Sequence, residues 1–208
     1  MENVAFVPVR SGSTRLQFKA LAKVQNETLL SIALKKAIKS NLFDEVVCFG
    51  DKKEFKDIAI KNGVQYFDRT PLNATSSAKS DEVVLEAIEK TDSKNIFWIN
   101  ITHPFTQIST LQKTFQILNM PNKEFDSVFT SHSWLAHASY SETLDQPINY
   151  KLDNSFSQTQ FMKKIVLLTY GIMAWDTKSF MSRYEISGVG MLNGKPQTIN
   201  VSRLESIW

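Results

Sequence analysis

Apolar positions along the chain come in short blocks that alternate between two periods. Val4 to Val9 is an almost unbroken apolar run, as expected of a strand covered on both faces. Leu30, Leu34, Ala37 and Ile38 mark one face of a helix over about 29–39. Glu45 to Phe49 reads as a second strand, closed by Gly50-Asp51. A short helix around Phe55, Ile58 and Ala59 stops at Asn62-Gly63, a left-handed terminator, and Val64 to Phe67 is a third strand. Residues 68–79 are rich in Thr, Ser and Asn and read as a loop. Ser80 then serves as an N-cap, with Asp81 and Glu82 in the first turn and Val83, Val84, Ala87 and Ile88 on the buried face. Ile96 to Ile99 is a strand that empties into Asn100-Ile101-Thr102-His103-Pro104. Ile108, Leu111, Phe115 and Leu118, spaced 3, 4 and 3 apart, give another helix, and Asp126 to Thr130 another strand.

Strands separated by amphipathic helices predict βαβ units and a mainly parallel sheet in an α/β fold. Ligands of such sheets gather at the carboxyl ends of the strands. Three polar segments fall there: residues 10–19, 68–80 and 100–106. Beyond residue 131 the periodicity fades. His132 to Asp153 is aromatic and polar, Lys164 to Trp175 is a second apolar run holding Gly171, and a helix is expected at 176–184. One domain over 1–208 is predicted, with 132–175 as a strand-rich lobe or a dimerisation arm.

Composition narrows the class. The 208 residues are 42% hydrophobic and 22% charged, ordinary for a globular protein. No apolar run approaches the roughly 18 residues of a membrane span. The acidic, polar start at Met1-Glu2-Asn3 is unlike a secretory leader, and the single Cys48 sits in an apolar run. A cytoplasmic protein is expected. The net charge of +3 is dispersed, without the basic, aromatic-laced stripe that argues for nucleic acid.

Basicity concentrates in the first loop. Residues 10–19 hold two Arg, one Lys, one Gly and three hydroxyl side chains. Glycine allows close backbone approach, hydroxyls and amides bond phosphate oxygens, and the cations neutralise them. The loop reads as a triphosphate cradle. Other phosphate motifs are missing: there is no G-x-G-x-x-G, no Walker A run and no D-x-D. His132 and His137 lie among aromatic residues and read as packing or surface groups, His103 as structural, and Trp98, Trp134 and Trp175 as core or interface.

Val9 to Lys19, with the pattern R-x-G-S-x-R-L-x-x-K, resembles the signature loop of the sugar-activating cytidylyltransferases, the CMP-sugar synthetases. The resemblance continues in order. Ala74 to Glu89 is similar to the family's "A-T-D-T-A-S-S" loop and its helix, and Trp98 to Thr106 to its "L-L-Q-P-T-S-P-L-R" strand end. Asp126-Ser127-Val128 resembles a "D-S-V" strand start, and Gln146 to Tyr150 with Asn154 to Gln158 resembles "P-L-N-Y … P-R-S-Q-D" of acylneuraminate cytidylyltransferase-like proteins.

The resemblance implies a Rossmann-like three-layer α/β/α nucleotidyltransferase fold. It also implies transfer of CMP from CTP to a nonulosonic, sialic-acid-like sugar acid, with release of pyrophosphate. Arg10, Ser11, Gly12, Ser13, Arg15 and Lys19 would hold the CTP phosphates, with Arg10 and Lys19 stabilising charge at the α-phosphate and leaving group. Ser80 would lie beside the nucleotide, and Asn100 and Gln158 beside the sugar. The family further implies Mg2+ and a homodimer.

Several positions depart from the pattern. Thr14 and Ala20 replace Lys and Asn, Gln17 replaces Pro, Thr106 and Phe156 replace Arg, and Thr102 stands where one branch has a metal-binding Asp. Glu205-Ser206-Ile207 matches the start of the family's C-terminal motif, but Trp208 follows instead of its metal-binding aspartates. No metal ligand is therefore assigned. A shortened chain, a catalytically impaired nucleotide-binding relative and a nucleotidyltransferase for another acceptor stay open as alternatives.

Overall fold

The computed structural model describes residues 1–12, 17–75, 77–152 and 158–207. Ser13 and Arg15 of the predicted cradle lie outside them, with Thr14 and Leu16. The strands are β1 (Asn3–Pro8), β2 (Lys23–Val24), β3 (Glu27–Thr28), β4 (Glu45–Gly50), β5 (Gln65–Asp68), β6 (Asn95–Ile99), β7 (Ser127–Trp134), β8 (Ile165–Asp176) and β9 (Pro196–Asn200). The helices are α1 (Leu29–Ser40), α2 (Lys53–Lys61), α3 (Ser80–Thr91), α4 (Ile108–Leu118) and α5 (Thr177–Ser187). Among the described residues seven strands form one sheet in the order β5-β4-β1-β6-β8-β7-β9, and β2 and β3 make a separate small hairpin.

β1 pairs in parallel with β4 and β6, and β4 with β5. β8 runs antiparallel to both of its neighbours, β6 and β7, while β9 returns parallel to β7. The sheet is therefore mainly parallel with one reversed strand.

All six residues of β1 are buried because helices cover both faces of the sheet. Side chains alternate along a strand. Ala5 and Val7 accordingly join Leu30 and Leu34 of α1, Phe55 of α2 and Leu111 of α4 in one core. Val4 and Phe6 join Val84 and Ala87 of α3, Trp175 and Phe180 in the other. Three layers result: α1, α2 and α4 on one side, the sheet, and α3 with α5 on the other. Cys48 belongs to the first core, and burial pushes its thiol up to about 12, leaving an inert packing group.

Local chemistry sets the element ends. Thr28 Oγ1 accepts the Ser31 amide at 3.2 Å to start α1, and Asp176 accepts the Ser179 amide at 2.9 Å to start α5. Gly63 takes the left-handed conformation, φ 71°, expected of the α2 terminator. At α3 the observed N-cap is Lys79, so Ser80 is the first helical residue and not the cap. The Glu82 carboxylate accepts the Lys79 amide at 3.2 Å and takes over the capping function.

The distal segment is an extension of β7 and β8. The pair runs from Ser127–Trp175 inside the sheet to Trp134–Ile165 beyond it, with a register shift between Phe129 and Ser131. Tyr170 there is left-handed, φ 59°, and Thr130 Oγ1 accepts the Ile172 amide at 3.1 Å. A bulge thus redirects the pair as it leaves the sheet. Trp134, Tyr140, Phe161, Val166 and Leu167 are exposed along this arm.

Candidate functional site

Chain order builds a crevice beside β1. The chain moves outward from β1 to β4 and β5, then returns to the far side of β1 as β6. The chain reverses its direction across the sheet between β1 and β6, and the cleft lies at the carboxyl ends of these two strands. It measures about 240 Å³ and is lined by Val9, Arg10, Lys19, Arg69, Thr75, Ser80, Trp98 and Thr102, among others. All three polar segments expected at the strand ends contribute to it.

Arg10 follows β1 directly, and its Nη1 donates to the Thr75 carbonyl at 2.6 Å, joining the first loop to the 69–79 loop. Lys19 enters from a short helical turn at Lys19–Leu21. Arg69 stands just after β5. It donates Nη1 to the Val9 carbonyl at 3.2 Å and Nη2 to the Asn73 carbonyl, while its buried Nε has no partner. Burial pulls its pKa below the usual value, and Arg10 adds to this, whereas Glu86 and Asp51 oppose it. Three cations on one wall give the cleft an anion's complement.

Carboxylates brace this wall from behind. Asp51, at the end of β4, accepts the Ser11 amide at 2.9 Å and 3.1 Å on its two oxygens and the Ser11 hydroxyl at 2.7 Å. Buried Glu86 on α3 accepts the Thr70 amide at 2.8 Å and Asn73 Nδ2 at 2.7 Å, fixing the loop that carries Arg69 and Thr75. Burial alone would raise the Glu86 pKa, but the bonds from Asn73, Lys90 and Thr70 hold it below the ordinary value.

The opposite wall is neutral. Trp98 is half-buried, its ring 5.2 Å from that of Phe6, and it faces the cleft beside Ile101 and Thr102. Asn100 Oδ1 accepts the Thr102 amide at 3.1 Å and its hydroxyl at 2.9 Å. The loop is pinned at both ends. Lys36 on α1 donates to the carbonyls of His103 and Pro104 at 3.2 Å and 3.0 Å. Buried Glu205 accepts the Gln107 amide at 3.0 Å and the Thr110 hydroxyl at 2.6 Å.

Of the residues singled out from sequence, Arg10, Lys19 and Ser80 line this one cleft. Ser11 is turned to Asp51, and a Cβ on exposed Gly12 would meet nothing within 4 Å. Asn100 is not among the lining residues, although its neighbours Ile101 and Thr102 are. Gln158 is exposed on the arm, accepts from Gln160 at 2.7 Å, and is not among the lining residues. Arg69, Trp98, Thr75 and Thr102 were not marked for the site. Arg69 had a usable signal, since it is a cation one residue past a strand's carboxyl end.

The Mg2+ implied by the family resemblance needs carboxylates that face the cleft. Among the described residues no group of three or more His, Cys, Asp or Glu side chains could hold a metal. The described lining contains no carboxylate, and both Asp51 oxygens are occupied by Ser11. Mg2+ in phosphate-transfer sites rests on one or two carboxylates together with the substrate phosphates. The described donor set does not fit a protein-held Mg2+.

A mainly parallel α/β sheet thus carries a cationic cleft at its switch point, where ligands of such sheets gather. The cytidylyltransferase family profile matches residues 4–187, and the chain belongs to that family. It is 31% identical over 114 residues to a pseudaminic acid cytidylyltransferase of Campylobacter jejuni, covering 54% of this chain and 49% of the relative. It is 29% identical over 119 residues to an N-acylneuraminate cytidylyltransferase of Escherichia coli, covering 55% and 28%. A CMP-N,N'-diacetyllegionaminic acid synthase of Legionella pneumophila is 25% identical over 134 residues, covering 62% and 58%. These matches span between 28% and 58% of the length of the curated relatives. In fold, the chain resembles a CMP:2-keto-3-deoxy-manno-octonic acid synthetase complexed with CTP. There the TM-score is 0.70 at 13% identity, over 97% of this chain and 90% of that one. Among the described residues no helix is long and apolar enough to cross a membrane.

Proposed function

We propose that the protein is a CMP-sugar synthetase that transfers CMP from CTP to a nonulosonic sugar acid. The acceptor hydroxyl oxygen forms a bond to the α-phosphorus, the bond to the bridging oxygen breaks, and pyrophosphate leaves with the electron pair. The hydroxyl proton passes to solvent. The observation that carries this reading is the convergence of Arg10, Lys19 and Arg69 on one cleft at the β1/β6 switch point. Arg10 and Lys19 stabilise the charge that builds on the α-phosphate and pyrophosphate. Ser11, Gly12, Ser13 and Arg15 complete the phosphate loop, Ser80 flanks the nucleotide, and Asn100 faces the acceptor. Gln158 reaches the acceptor only if the arm carries it there. Mg2+, which the described residues do not hold, would enter with the nucleotide and would supply charge neutralisation of its phosphates.

A second reading, nucleotide binding without transfer, is favoured by the lack of a carboxylate in the described lining. One experiment separates them: CTP, Mg2+ and a panel of nonulosonic acids with pyrophosphate release as the readout, alongside calorimetric titration of CTP. Release with any sugar acid supports transfer. CTP binding without release supports the second reading, and no CTP binding defeats both. The exposed apolar side chains of the β7–β8 arm support pairing with a second copy in a cytoplasmic homodimer. Sedimentation at a mass of one chain would overturn that assembly.

A further inference from the structure

Three polar side chains in the loop after β6 can be ordered by counting protons. The Thr102 amide donates to Asn100 Oδ1 at 3.1 Å. That bond fixes the Asn100 carboxamide, because the reversed group would set N–H against N–H. The Thr102 hydroxyl lies 2.9 Å from the same Oδ1 and gives its single proton there. Its oxygen is also 3.0 Å from His103 Nδ1. With the hydroxyl proton already used, only the ring can donate in that contact. His103 is therefore the Nδ1–H tautomer, and its Nε2 is a bare lone pair, buried and unpartnered.

Donation runs one way, from His103 through Thr102 to Asn100, and it fills Oδ1 with two bonds. What Asn100 has left to offer is its NH2, which makes no hydrogen bond among the described residues. Asn100 follows β6 directly; it is not itself a lining residue, but Trp98 before it and Ile101 and Thr102 after it all line the cleft. The surroundings keep this arrangement. Burial, then the charge of Lys36, brings His103 down to about 4, so the ring is neutral at physiological pH. A Cβ on Gly171 would stand 3.2 Å from His103 Cγ and 3.1 Å from Thr106 Oγ1, so β8 backs the ring as bare backbone.

We propose that His103 and Thr102 are positioning residues that lock Asn100 with its NH2 toward the cleft. The acceptor must then present an accepting oxygen at this point, and a carboxylate is the best match. This rests on the transfer reaction proposed above and specifies which group of the acceptor the neutral wall reads.

Asn100→Asp is the sharpest test, since it keeps Oδ1 and both of its bonds while an anionic oxygen replaces the NH2. The KM for the sugar acid is expected to rise at least roughly tenfold while that for CTP stays within about twofold. Thr102→Val, which breaks the chain of donation, should raise the sugar-acid KM about three- to tenfold, and Thr102→Ser should restore it. Independently of turnover, long-range 15N–1H NMR of histidine-labelled protein reads the tautomer, with His103 assigned through His103→Asn. Nδ1–H is the expected result. An Nε2–H tautomer overturns the inference, as does an Asn100→Asp enzyme with an unchanged sugar-acid KM. Failure to release pyrophosphate with any sugar acid overturns the proposed reaction instead, and the NMR result still decides the relay.

Discussion

Behind β1, β4 and β5 the cleft presents Arg10, Lys19 and Arg69, whereas behind β6 it presents Trp98, Ile101 and Thr102, with no charge among them. The two walls are also braced differently. On the cationic wall, guanidinium groups reach backbone carbonyls across loops, and the carboxylates of Asp51 and buried Glu86 hold those loops from behind. On the neutral wall, short side chains bond one another in a fixed direction. Charge acts over distance and tolerates small errors of placement, so it suits the gathering of a triphosphate. A neutral donor has value only when it points correctly, so a wall proposed to read an acceptor needs its polarity wired.

That contrast can be broken most forcefully on the cationic side. Arg10→Ala should lower the rate of pyrophosphate release on the order of 10²- to 10³-fold, the usual cost of one lost transition-state donor. A drop below tenfold in initial rates at saturating CTP would mean that Arg10 only packs against Thr75.

A smaller effect, on stability, is expected where the neutral wall is pinned. Glu205→Ala leaves the Gln107 amide and Thr110 hydroxyl without their acceptor and should cost about 2 kcal/mol in urea unfolding. The pH response separates two groups there. Burial would raise the Glu205 pKa, but bonds from Thr110, Gln107 and Ser202 leave it below 4.5. Its stabilisation is complete above that value and disappears as pH falls through the lower folded pKa. His103 acts earlier: folded near 4 against 6.5 unfolded, it makes the protein progressively less stable as pH falls from 6.5 to 4. His103→Asn should flatten the first window and Glu205→Ala the second. Coincident curves for all three proteins would refute this assignment.

The mildest perturbation concerns the brace behind the cationic wall. Asp51→Asn retains one accepting oxygen and loses the charge-assisted bonds to Ser11, so the KM for CTP should rise roughly three- to tenfold with kcat little changed. A lower KM would show that Asp51 competes with phosphate for Ser11 instead of holding the loop ready.

Much of the fold could be read in advance because buried elements stamp their period on the residues. β1, α1, β4, α2, β5, β6 and α4 lie within a residue or two of where the apolar pattern put them. β9 and the β2–β3 hairpin were missed. In Pro196–Asn200 only Ile199 is buried, and a nearly exposed edge strand leaves no pattern to see. The reversal of β8 was equally hidden, since a run of apolar residues is the same in either direction. In the site, clustered cations and glycine made Arg10 and Lys19 legible, while Arg69 stood alone in a polar loop. Ser80 was read as a cap because hydroxyls favour that position, but the backbone begins the helix one residue earlier, where Glu82 can reach the Lys79 amide.

The sequence by itself determined a mainly parallel α/β sheet, the cationic loop after its first strand, and the kinship carried by that loop. These are properties of neighbours along the chain, written in period and composition. Only the tertiary structure decided that Arg69 joins Arg10 and Lys19, that Asp51 holds Ser11, and that His103, Thr102 and Asn100 donate in one direction. The reason is physical. Each of these depends on where a loop from one strand end meets a loop from another, and hydrogen-bond polarity exists only once the partners' distances and protons are fixed.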